Sequence, residues 1–207
     1  MVKSFRILWS CFVPILLITS AAMGKDGLVV APSVVNSRYC LGSEGAINLK
    51  VTVDFTYRNV GTMPVVLPRF SKLSGYTLYR DEADFKTHRV AAQSLFRLAD
   101  IFDTLKVEPS NPSPLLFEAI PPGGTAGRMD EVVIPLGIPG KDRSKLAGKS
   151  LLLQFTLDNW PGHDHIEESR RVWGPLGTLW ARQDTTLPVP VTIESRPTPV
   201  RCFPRVD

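Results

Sequence analysis

Few of the 207 residues are of the kinds that do chemistry. There are three cysteines and three histidines, and no G-x-S-x-G elbow, P-loop or G-x-G-x-x-G turn. Gly123-Gly124-Thr125-Ala126-Gly127 lacks the lysine and the strand-to-helix setting that a phosphate cradle needs. Blocks of lysine and arginine are missing too, which removes the usual grip on nucleic acid phosphates. No apolar run reaches the roughly 20 residues of a bilayer-spanning helix. There is no internal repeat and no low-complexity tract. These absences leave an ordinary folded chain with no cofactor motif.

The N-terminus is the first positive signal. Lys3 and Arg6 precede an uncharged apolar run, Ile7 to Thr19, then the small residues Ser20, Ala21 and Ala22. Basic, apolar and small-residue regions in that order read as a secretory signal peptide, residues 1–24. The alternative is a segment retained as an anchor, which would be the chain's one contact with a membrane. Cys11 lies inside the apolar run and follows Trp9-Ser10, a poor lipobox. Removal of the segment leaves residues 25–207 as one domain, exported to the periplasm or beyond. Without Lys3 and Arg6 the formal charge of +4 falls to about +2, so the pI of 9.1 says nothing about an acidic partner. Cys40 and Cys202 then remain, an even count in an oxidising compartment, and are expected to form a disulfide.

The body of the chain reads as β. In Ala46 to Val60, Ile47, Leu49, Val51, Val53, Phe55 and Tyr57 alternate with polar residues, the period of a strand with one buried face. Asn59-Val60-Gly61-Thr62-Met63-Pro64 is turn chemistry, and Val65-Val66-Leu67 follows before Pro68, which predicts a hairpin with an edge-like second strand. Further strands are expected at Tyr76–Tyr79, Phe85–Ala91, Leu115–Ile120, Glu131–Ile134, Lys149–Leu157, Leu176–Ala181 and Leu187–Ile193. In the last, Pro190 must face an unpaired edge or a bulge. Residues 91–105 carry Leu95, Leu98, Phe102 and Leu105 at helical spacing and read either as a short helix or as a strand with a loop. Many short strands punctuated by 18 prolines and 15 glycines predict an antiparallel β-sandwich.

Two segments, VTVDFTYRNVGTMPVVLPR and AIPPGGTAGRMDEVVIPL, resemble the immunoglobulin-like sandwiches of exported bacterial proteins. The first has an alternating strand ending in an Asn–Gly turn. The second has a Pro-Gly corner leading into a core strand. The resemblance covers roughly half of residues 25–207 and implies an all-β architecture but no activity. Cys40 and Cys202 sit at the two ends rather than at the spacing of an antibody-like core disulfide.

WPGHDHIEESRRVWG, Trp160 to Gly174, is the densest polar stretch. His163 and His165 with Glu167 are candidate metal ligands, since two histidines two apart on a strand face one way. They lack a third and fourth ligand at metal spacing, and His88 is isolated, so the stretch reads as a solvated loop tip. Trp160, Trp173 and Trp180 are candidates for a sugar-stacking or partner-binding surface, or else core plugs. The expectation is a non-catalytic, cofactor-free binding or assembly module facing an unknown protein or cell-envelope component. The alternatives are a metal- or carbohydrate-binding accessory protein built on residues 160–180 and, third, a small extracytoplasmic hydrolase.

Overall fold

The computed structural model describes residues 27–42, 46–69, 73–95, 117–139, 148–160, 166–192 and 200–202. The chain is mostly antiparallel β, in a sandwich-like arrangement. The first sheet holds β1 (Leu28–Leu41), β2 (Ala46–Asn59), β7 (Thr125–Pro139) and β12 (Val200–Arg201), in the order β12-β1-β2-β7. The second holds β4 (Leu73–Tyr79), β5 (Ala92–Leu95), β8 (Ser150–Asp158) and β10 (Gln183–Thr185), in the order β10-β8-β4-β5, with β11 (Val189–Thr192) also on β8. A third, small sheet is β6-β3-β9, from Phe117–Ile120, Val65–Pro68 and Thr178–Leu179.

Alternation does what the sequence pattern requires. Leu49, Val51, Val53 and Phe55 of β2 and Leu153, Phe155 and Leu157 of β8 are all fully buried. Phe55 meets Phe155 edge to face at 5.2 Å, which joins the first two sheets across the core. Pro190 lies in β11, whose one ladder partner among the described residues is β8.

Several expectations need correction. β2 and β3 are not a hairpin: β2 pairs with β1 and β7, and β3 crosses to the small sheet. The turn after β2 is held by Asn59, whose Nδ2 donates to the carbonyls of Met63 and Ile120 at 2.8 and 2.9 Å while its Oδ1 accepts from Gly61 N. Those bonds turn the chain away from β2. β3 is a central strand, buried along its whole length, and not an edge. No strand forms at Phe85–Ala91: Phe85 and Lys86 end helix α1 (Glu82–Lys86), which Asp81 caps by accepting from Asp84 N at 2.8 Å, and residues 87–91 are a turn back to the sheet. Residues 92–95 of the ambiguous 91–105 segment are strand, and its remainder beyond Leu95 lies outside the described residues, as does the N-terminal segment 1–24.

Cys40 and Cys202 are bonded, with Cα atoms 4.7 Å apart. The bond fastens β12, which runs parallel to β1, at a site where both cysteines are buried.

Candidate functional site

The polar stretch after Trp160 is not a loop throughout. Ile166–Trp173 is a helix, α2, with Glu167 and Glu168 in its first turn and Arg170 and Arg171 in its last, the order that suits the helix dipole. Glu167 is solvent-exposed and pairs with Arg170 at 2.6 Å. His163 and His165 lie outside the described residues. Among the described residues no group of three histidines, cysteines or carboxylates could hold a metal ion.

The three tryptophans do not form an exposed surface: Trp160, Trp173 and Trp180 are 1, 3 and 3 % exposed. Trp160 stacks on Phe117 at 5.2 Å, and Trp173 tilts against the same ring at 4.3 Å, closing a small second core with Val66. Trp180 belongs to the main core. Its Nε1 donates to Asp184 Oδ2 at 2.7 Å, and the Arg182 guanidinium lies 3.8 Å from its ring centroid. Helical spacing explains the burial of Trp173, which shares a face of α2 with Ile166 seven residues earlier and the buried Ser169 four residues earlier.

A cavity of about 820 Å³ opens instead on the side of the sandwich where β5 and β7 end their sheets. The opposite side is tied shut by Ser37 Oγ of β1, which donates to the Thr192 carbonyl of β11 at 2.9 Å. The cavity's apolar lining comes from three directions: Leu78 on β4, Leu136 on β7 and Leu151 on β8, with Ala91 and Ala92 leading into β5. Its polar wall is the link between β4 and β5. Arg80, Asp81, Asp84 and Arg89 stand there, and Lys149 and Ser150 stand at the start of β8.

The link has a fixed shape. Asp81 starts α1, and His88 takes a left-handed backbone conformation with φ 53°. Arg89 N then donates to Asp84 O and Ala91 N to Leu78 O, both at 2.8 Å, which returns the chain to the sheet. Arg80 grips Asp84 through Nε and Nη2 at 2.5 and 3.2 Å. The hydrogen bond from Arg80 holds the Asp84 carboxyl below the usual carboxylate range, so it is ionised at neutral pH. Asp81 is engaged as a cap. The carboxylates of the wall are therefore occupied within the protein. Arg89 reaches Asp84 only at 3.8 Å with its side chain 69 % exposed, and Lys149 makes no ion pair among the described residues.

None of these residues stood out in the sequence. One signal was readable: Asp81 three residues before Asp84 is a helix-capping spacing, and Arg80 four before Asp84 is an ion-pair spacing. Comparison with family models, with curated proteins and with solved structures finds no match.

Proposed function

We propose that the chain is an exported, non-catalytic binding module, and that its cavity takes an apolar segment carrying an anionic group. The observation behind this reading is the pairing of an apolar lining, Leu78, Leu136 and Leu151, with two cations at the mouth whose charge is little spent, Arg89 and Lys149. Apolar surface supplies the affinity, at about 25 cal/mol per Å² removed from water, and the cations select the head group. Among the described residues the lining contains no histidine or cysteine, and its carboxylates are held as counter-ions and cap, which favours binding over acid–base work. The buried disulfide accords with export.

Calorimetric titration with three twelve-carbon amphiphiles tests the binding: laurate, dodecylammonium and dodecyl maltoside. Laurate should bind tightest. Replacing both Arg89 and Lys149 by Glu should weaken it about tenfold, the scale of two solvent-facing charge contacts, and Leu136→Asp should abolish it. Equal affinity for all three head groups, or indifference to Leu136→Asp, would refute the reading. Sequencing the N-terminus of the protein recovered outside the cytoplasm tests export; the expected cut lies between Ala22 and Lys25, and a start at Met1 would overturn it.

A further inference from the structure

We propose that two copies of this chain join through the free edge of β7, antiparallel, about a twofold axis passing beside Met129.

β7 is fifteen residues long and, among the described residues, is paired only on the side of β2. A long open edge exposes a row of amides and carbonyls and recruits another strand unless something blocks it. Pro135 identifies which main-chain groups face outward. It stands opposite Asn48 in a register that runs without interruption from Thr125 to Pro135. A proline fits a ladder where its nitrogen faces the unpaired side. By the two-residue period, the main-chain groups of Thr125, Gly127, Met129, Glu131 and Val133 face that side as well. The Gly127 carbonyl agrees: its bond comes from the Arg128 side chain, at 2.5 Å.

The same proline limits the usable edge. The Pro121–Gly124 turn ends it on one side and Pro135 on the other, which leaves residues 125–133. A stretch of that length can pair fully with its own copy in one antiparallel register only, the one centred on Met129. In that register Thr125 meets Val133 and Gly127 meets Glu131, for about ten main-chain hydrogen bonds in all. Arg128 of each copy meets Asp130 of the other on one face of the sheet, twice by symmetry.

That charge match carries the choice of occupant. A second copy is complementary at the positions flanking the axis, where a strand of arbitrary sequence is not. Both groups have capacity to spare. Asp130 is half-buried, makes no hydrogen bond or ion pair among the described residues and acts on Arg128 and Tyr57 of its own chain only through space, and Arg128 Nε has no hydrogen-bond partner. Arg128 keeps its contact with Glu118 through Nη2 and would release the Gly127 carbonyl to an incoming amide. At the axis itself stands Met129, 67 % exposed, so the side chains of the two copies would cover one another there. Leu136 lies beyond the paired stretch, so the cavity stays open in the dimer.

Sedimentation of the mature chain over a range of concentrations gives the first reading, with a reversible dimer expected. Met129→Cys should then cross-link under mild oxidation, since residues facing each other across a strand pair have Cα atoms about 5.5 Å apart. Thr125→Cys should not, because the two copies of that position would lie about 27 Å apart at 3.4 Å per residue. Asp130→Lys should raise the dissociation constant at least tenfold. Should that variant fold poorly, Met129→Lys places like charges at the axis from an exposed position and should have the same effect. A monomer at all concentrations overturns the proposal. So do equal cross-linking at positions 125 and 129, and a dimer indifferent to Met129→Lys.

Discussion

Replacing Cys40 and Cys202 together by Ala should cost about 3–5 kcal/mol of stability. The bond joins residues separated by 162 positions, nearly the whole described fold. In the chain-entropy treatment, closing a loop of that length lowers the entropy of the unfolded chain by about 17 cal/mol/K, or about 5 kcal/mol at 25 °C. Among the described residues, little else secures Val200–Cys202. β12 has two residues, paired to Cys40 and Leu41, and Cys202 N donates to Leu41 O at 3.2 Å. Asn48 Nδ2 also lies 3.4 Å from Cys202 Sγ. Two explanations of a loss therefore compete: release of the unfolded chain, or fraying of β12.

Urea unfolding followed by tryptophan fluorescence separates them, because Trp160, Trp173 and Trp180 are all buried and report the global transition. If the loop is responsible, the double variant should show a lower midpoint and a steeper dependence on urea, since an uncrosslinked chain exposes more surface. A chain ending before Val200 and carrying Cys40→Ala should then be no less stable than the double variant. If it is much less stable, packing of β12 matters more than the crosslink. A double variant within about 1 kcal/mol of the parent, with unchanged urea dependence, would refute the loop argument.

Asn59→Ala should cost about 2–4 kcal/mol in the same assay, because three side-chain hydrogen bonds vanish and two carbonyls lose their donor. Gly177→Ala should destabilise by about 1–3 kcal/mol, since a Cβ there would be driven into the Pro64 carbonyl that accepts from Thr178 N. Burial pushes the Tyr39 hydroxyl up to about 12 and raises Tyr57 and Tyr76 as well. A raised acid favours the neutral folded form, so this stability is complete below pH 10 and is lost as pH climbs towards 12. Phenolate absorbance should lag behind that of the unfolded chain over that window and catch up cooperatively on unfolding; independent, unlagged titration would contradict it.

The strands that could be read in advance are those with one face in the core and one in water. β2 and β8 satisfy that condition, and their expected and observed limits agree to within a residue. β1 was missed because Val29-Val30 and Val34-Val35 break the alternation and Pro32 interrupts it. The bulge between Val34 and Asn36 explains the second break, leaving Val35 58 % exposed. Only the middle of β7 is legible, because two of its inward-facing positions before Val132 are Arg128 and Asp130, charges where the pattern looks for apolar residues. Turn chemistry after Asn59 is legible in the sequence, yet the hairpin it suggests does not form, because the turn does not determine which sheet the next strand enters. That is decided by Asn59 reaching Ile120, sixty-one residues away.

The candidate site was harder to see for a related reason. HDHIEE concentrates ligand-type side chains along the chain, but the described part of it is the first turn of an exposed helix whose charges pair with one another. The tryptophans concentrate too, and the fold spends all three on closing its cores. The cavity draws on Leu78, Leu136 and Lys149, residues of common type far apart in sequence. They meet because β4 lies between β8 and β5 in one sheet while β7 ends the other. No local pattern encodes that order of strands. It follows from pairing, and pairing also leaves one side of the sandwich joined by Ser37 and Thr192, while the other, among the described residues, carries the cavity. Apolar surface on the open side is reachable from water without unfolding, whereas that of the buried tryptophans is not. The binding function proposed above therefore rests on the side where the two sheets end, and charge reversal at Arg89 and Lys149 probes it more directly than any change at the aromatics.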